Sequence, residues 1–410
     1  MKRNLFAALV GLCLTMSCGL EEIGGGLDNG NDVWLGPGGI ISGSGSESGD
    51  GIGKKIWYAV GVDYPEDYDW RSDEQNGSVR CSLVVFANGA PMMKVPVGEE
   101  YEVSADPDMY RMFGKNLYTD YSTDSETVIK KNGVQIFRYE GREMIVDLVV
   151  DGEDVYTLGQ SREGRGFSFR KNGGVLLERA SGYAFPKIHK SSAGWCFAFC
   201  ETIGSGKDLK ERYFCYSQGD VFQIAVREDV KWVLDVTLVD GEVCYIAALV
   251  GISAPVLVKG DDVITLGISA GSEVMNCRFI HGGDLKIEGV ISQKGKELFS
   301  GLWHESKLVK MFSPGYTVTS FCEYNCEVSC VLNSSDSALD GIIYRCGETL
   351  TMPKGYMSLG GKSMAMVDGI LYVGLTPSAS SDEPSCAAVW VDNEMKPLKI
   401  NGFISHISVY

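Results

Sequence analysis

Past Gly53 the chain is written in short apolar runs. Runs of five to nine residues rich in Val, Ile, Tyr, Phe and Leu alternate with Gly, Asn and Asp turns, and a helical period is absent by pattern. One turn returns with the same kind of run behind it: "VVDGEDVYTLG" (149–159), "LVDGEVCYIAA" (238–248) and "MVDGILYVGLT" (366–376). Looser copies of this opening motif begin near 53, 114, 193, 282 and 324. A second series is a hairpin, as in "FANGA" (86–90), "KKNGV" (130–134) and "RKNGGV" (170–175), with further members near 216, 258, 304, 345 and 391. Asn-Gly is a strong short hairpin signal, because a type I′ turn needs positive φ at both central positions. A third series of glycines closes the units: Gly98, Gly141, Gly182, Gly271, Gly315, Gly355 and Gly402.

The three series interlock with a period of about 38–47 residues, a length that holds four short strands. Such a sheet cannot bury both faces alone and must stack on neighbours. The pattern predicts an all-β fold, a β-propeller of eight four-stranded blades over 54–410, with seven blades as the alternative. The first unit starts with its second strand and lacks a first. The segment "GFISHISVY" (402–410) is predicted to supply that strand and close the ring.

The N-terminus reads differently. Lys2 and Arg3 precede an apolar stretch, Leu5 to Leu14, too short to span a bilayer as a helix, and small Ser17 precedes Cys18. This resembles a bacterial lipoprotein signal, with residues 1–17 removed and Cys18 lipidated. Glu21 and Glu22 resemble the acidic tag that sends Bacteroidetes lipoproteins to the outer cell surface. Residues 18–53 then form a glycine-rich tether, with 12 glycines between Ile23 and Gly53. As a flexible coil it reaches roughly 30 Å. The repeats themselves resemble those of Bacteroidetes propeller lipoproteins and lack the Trp-Asp and Gly-His marks of WD40 blades. The resemblance implies a lipid-anchored outer-membrane protein, with the periplasmic face as the alternative location. It transfers no catalytic residue.

The formal net charge is -17, so a nucleic-acid partner, which needs clustered cations, is not expected. A monomer is expected. Its partners would be a glycan, an outer-membrane protein and, through Cys18, the membrane. In a propeller the turns between the first and second strands share one face with the hairpins between the third and fourth. Here those turns are uniform. The connections on the other face are long, polar and all different, which points to that face as the working surface.

Two groups there carry candidate chemistry. Glycine followed by an aromatic opens four units: Gly182-Tyr183, Gly315-Tyr316, Gly355-Tyr356 and Gly402-Phe403. Rings so placed either encircle the channel mouth, where they would stack on a sugar or peptide, or plug the blades. In the loop 64–77, Tyr64, Tyr68 and Trp70 interleave with carboxylates and Arg71. This loop either binds carbohydrate or folds Trp70 back on the blade; its spacing is not that of a calcium loop. Carbohydrate binding is the expected function. A protein-interaction scaffold, or a polysaccharide lyase or hydrolase acting in the channel, are the alternatives.

No catalytic motif, metal-ligand spacing or cofactor fingerprint appears, and no cofactor is expected. His189, His281 and His406 fall on or near the inner strands. The cysteines of the body sit mostly inside apolar runs, as small core residues do.

Overall fold

The computed structural model describes residues 55–410 apart from short segments, the longest being 69–80, 98–109, 204–209 and 379–385. Among the described residues every regular element is a strand. The strands form eight antiparallel sheets, which we number as blades in chain order and letter a to d from the centre outwards. Blade 2, for example, runs Tyr110–Phe113, Asn116–Ser122, Glu126–Lys131 and Val134–Glu140. Blade 3 runs Glu143–Asp151, Asp154–Ser161, Phe167–Lys171 and Gly174–Arg179. In blades 4 and 8 strand a is broken into two short pieces, which is why those sheets count five strands. The architecture is an eight-bladed β-propeller.

The repeated turns explain themselves at the residue level. Asn132 and Gly133 both have positive φ (52° and 79°), as do Asn172 and Gly173 (51° and 79°), which is the type I′ geometry. Asparagine adds a second device. The backbone N–H of Asn172 donates to Val155 O at 2.8 Å, and its side-chain oxygen accepts from Val155 N at 2.8 Å. Asn132 treats Leu117 in the same way. Each hairpin thus hydrogen-bonds the second residue of strand b in its own blade. The outer corner is tied to the inner half of the sheet.

Ring closure is as expected from the sequence. Gly402–Val409 pairs antiparallel with Trp57–Asp63 and forms strand a of blade 1, so the first and last segments share a sheet. Eight hydrophobic clusters then fill the eight seams between blades. The seam between blades 8 and 1 packs Trp57, Ala59, Phe86 and Ile404 against Tyr372 and Leu398. The next, between blades 1 and 2, packs Tyr58, Val60 and Phe403 against Met112 and Leu117. A strand sends its side chains alternately to its two faces. Strand a therefore feeds the two flanking seams and turns its backbone edge to the central channel.

Candidate functional site

Several of the residues singled out in the sequence serve packing. Phe403 is only 1% exposed and lies in the seam between blades 1 and 2, so it is no platform at the channel mouth. Tyr316 and Tyr356 are half-buried, and each hydroxyl donates to a carbonyl in the b–c connection of its own blade, to Asp340 O at 3.2 Å and to Cys386 O at 3.3 Å. Tyr183 is more open but stands edge-on to Phe185 at 5.7 Å. The cause is geometric: a side chain on strand a points into a seam, so the four rings are dispersed around the ring instead of gathered at its centre.

Tyr64 and Tyr68 do come together, with ring centroids 5.1 Å apart, and Tyr64 leans on Phe403. Asn401 pins this corner by donating its side-chain N–H groups to Pro65 O at 2.6 Å and Tyr68 O at 2.8 Å. Burial pushes the Tyr64 hydroxyl above its ordinary range. Trp70, Arg71 and Cys18 lie outside the described residues.

The seam between blades 2 and 3 stands apart from the rest. Its apolar cluster is small, centred on Tyr118, Ile129, Ile145, Leu148 and Val155. The half nearer the variable loops is built from buried polar groups instead: Thr127, Glu143, Thr157, Ser168 and Arg170. Glu143 is held from three sides. Arg170 Nη2 donates to Oε1 at 3.0 Å and the Ser168 hydroxyl to Oε2 at 2.8 Å. Its backbone N–H donates to Thr127 Oγ1 at 3.0 Å. Arg170 Nε also donates to Ser168 Oγ at 3.1 Å, and the guanidinium lies over the Tyr139 ring at 4.1 Å. Burial, then the neighbouring Glu143 carboxylate, raises the Tyr139 hydroxyl above its usual range.

Glycines make the space for this network. A Cβ on Gly159 would lie 2.3 Å from Glu143 Oε2, so only a bare backbone on strand b of blade 3 admits the carboxylate. Gly141, with φ of 102°, turns the chain from blade 2 into blade 3 and leaves open space where a side chain would stand.

Above the network runs a groove on the loop-rich face. One part, of about 740 Å³, is lined by Ser125, Glu126, Arg138, Tyr139, Glu140 and Gly141. A second part, of about 330 Å³, shares Glu140 and Gly141 and continues past Arg142, Glu143, Arg170, Glu178 and Arg179. The charged lining is balanced: Arg138, Arg142, Arg170 and Arg179 against Glu126, Glu140, Glu143 and Glu178. Arg138 pairs with Glu126 at 2.5 Å, and Arg179 pairs with Glu201 at 2.7 Å. In a chain of net charge -17, a neutral groove dense in donors and acceptors suits an uncharged ligand rich in hydroxyls.

The sequence carried a signal for this site. Gly141, like Gly98 and Gly271, has no aromatic after it and is followed by Arg142 and Glu143, and strand c of blade 3 alternates Phe167, Ser168, Phe169, Arg170. A charge on the inward face of a strand is costly unless partnered, so that pair marks a built network.

No protein-family model matches the chain, and no curated protein matches it in sequence. Solved propellers are similar in fold. Apo AztD from Citrobacter koseri aligns over 87% of this chain and 98% of its own at 8% identity and TM-score 0.48. The β-propeller domain of the Trilobed protease from Pyrococcus furiosus aligns over 67% and 87% at 11% identity and TM-score 0.44. The dihydro-heme d1 dehydrogenase NirN aligns over 85% and 74% at 11% identity and TM-score 0.46. At these identities no residue role passes to this chain.

Proposed function

We propose that this protein is a lipid-anchored, cell-surface propeller that binds an uncharged glycan in the groove over the seam between blades 2 and 3. The observation that carries the reading is the buried Glu143–Ser168–Arg170 network under a charge-balanced groove, where the neighbouring seam on each side is a larger apolar cluster. Planar guanidinium and carboxylate groups pair with vicinal hydroxyls through two hydrogen bonds at once. The underlying network holds those groups still, which lowers the entropy cost of binding. The anchor rests on Cys18 and the cationic, apolar leader before it.

The test is a glycan array with the purified protein, then calorimetry on any hit with Arg138→Ala and Glu140→Ala, two exposed groove residues. Each substitution is expected to weaken binding by tenfold or more, about 1.4 kcal/mol. A bare array, or variants that bind like the wild type, refutes the site. In cells, Cys18→Ala should stop palmitate labelling and release the protein from the membrane fraction; unchanged labelling refutes the anchor.

A further inference from the structure

We infer that the channel end of the seam between blades 2 and 3 holds a small inorganic anion of chloride size, seated against Arg111 Nε and Nη1. The inference is independent of the glycan groove. Arg111 lies on strand a of blade 2 and is 3% exposed. A guanidinium stays charged at any working pH and presents five N–H donors in a fixed fork. Here Nη2 donates to Val146 O at the long distance of 3.4 Å, and Nε sits 3.7 Å from Asp147 Oδ1, beyond hydrogen-bond reach. Nε and Nη1 are both buried and have no hydrogen-bond acceptor among the described residues.

Asp147 is not free to turn towards Arg111. It sits beside a bulge in strand a of blade 3, and both its oxygens already accept backbone N–H groups, Leu148 N at 3.0 Å and Ile188 N at 2.7 Å. Its job is to bridge the inner strands of blades 3 and 4. Asp235 does the same between blades 5 and 6, with Val236 N and Phe279 N.

The surroundings of Arg111 add positive field. Strand a of blade 1 carries His406, which is 8% exposed and whose Nδ1 also has no hydrogen-bond partner. Strand a of blade 8 is broken, and its Lys362 bridges to His406 in parallel register, with Ile407 N donating to Lys362 O at 2.8 Å. The charges of Lys362 and Arg111 both bear on His406. Arg111 has the Asp147 carboxylate near it at 3.7 Å, whereas other buried cations are hydrogen-bonded to theirs: Lys286 donates to Glu323 at 2.6 Å, and Arg170 to Glu143 at 3.0 Å. Arg111 alone of these three has two donors left over, next to a second cation and an imidazole. A buried charged donor without an acceptor costs several kcal/mol. An anion removes that cost and screens the Arg111–Lys362 field. Its size is limited because Arg111, Asp147 and His406 around it are each less than a tenth exposed.

The experiment uses the intact protein. Tm is measured against sodium chloride, with sodium gluconate holding ionic strength constant, and crystals are soaked in sodium bromide for anomalous scattering. A rise of roughly 2–4 °C specific to chloride is expected, with a bromide peak within hydrogen-bond reach of Arg111. Arg111→Met should abolish both effects while keeping the β-sheet circular dichroism. No chloride-specific rise, or bromide only at surface sites, overturns the proposal. Those two readings on wild-type protein decide the matter even where Arg111→Met fails to fold.

Discussion

At the scale of single residues, the repeats were readable because their turns demand unusual backbone. Asn-Gly at 132–133 and 172–173 is written where φ is positive at both positions. The role of the asparagine side chain, which accepts from strand b, was not readable, because it depends on a strand about 16 residues away. His406 shows the same limit. Its place on strand a was legible; its surroundings were not. Burial first, then Lys362 and Arg111, lowers its pKa from 6.5 to about 3. In the unfolded chain the imidazole takes a proton near pH 6.5, and in the folded chain it does not until far lower pH. The unfolded state therefore binds more protons between those values. The stability tied to neutral His406 is complete above pH 6.5 and is lost as pH falls towards 3. Burial raises the carboxyls of Asp235 and Glu288, which work in the opposite sense. The comparison must then be between variants. From pH 6.5 to 5, wild type should lose about 1–2 kcal/mol more than His406→Asn in urea unfolding. Parallel pH profiles would show that His406 is not buried neutral.

At the scale of elements, strand type and blade period were legible, since apolar alternation between formulaic turns needs only local sequence. The candidate groove lies on the loop-rich face the sequence favoured. Its residues were not legible. Phe403, Tyr316 and Tyr356 follow glycine because their three seams take a large ring at the start of strand a, and that repetition reflects packing. The candidate site sits at one of the places where that repetition fails, at Arg142 and Glu143. Whether Glu143 and Arg170 support folding or function can be separated. Arg170→Met alone leaves Glu143 a buried carboxylate, and the expected cost is about 3–5 kcal/mol. Glu143→Met together with Arg170→Met replaces the pair with apolar groups and should recover most of that loss. Chemical denaturation of the two single variants and the double variant reads the coupling directly. If the double variant is as unstable as the sum of the singles, the two side chains are uncoupled and the pair reading fails. Recovery with lost glycan binding assigns it to the ligand site.

At the scale of the whole molecule, a ring of blades leaves no seam unpacked only if its ends meet. In this chain the meeting is between Gly402–Val409 and Trp57–Asp63, more than 300 residues apart in sequence. The closing strand does more than pair. Phe403 enters the seam with blade 2, while Ile404 and Ile407 enter the seam with blade 8, so one strand locks two interfaces. Its glycine is equally specific, since a Cβ on Gly402 would lie 1.9 Å from Val62 O. Stability in a ring of stacked units passes from neighbour to neighbour, so an opened ring leaves two apolar seams wet. Loss of one large core ring costs about 3–5 kcal/mol, a large share of the 5–15 kcal/mol typical of a folded domain. Phe403→Ala is therefore expected to lower Tm by several degrees while keeping one cooperative transition. A chain stopped before Gly402 should lose that transition and expose Trp57 to solvent, read as a red-shifted tryptophan emission. If the shortened chain melts as cooperatively as the full one, closure by the last strand is not what holds the ring.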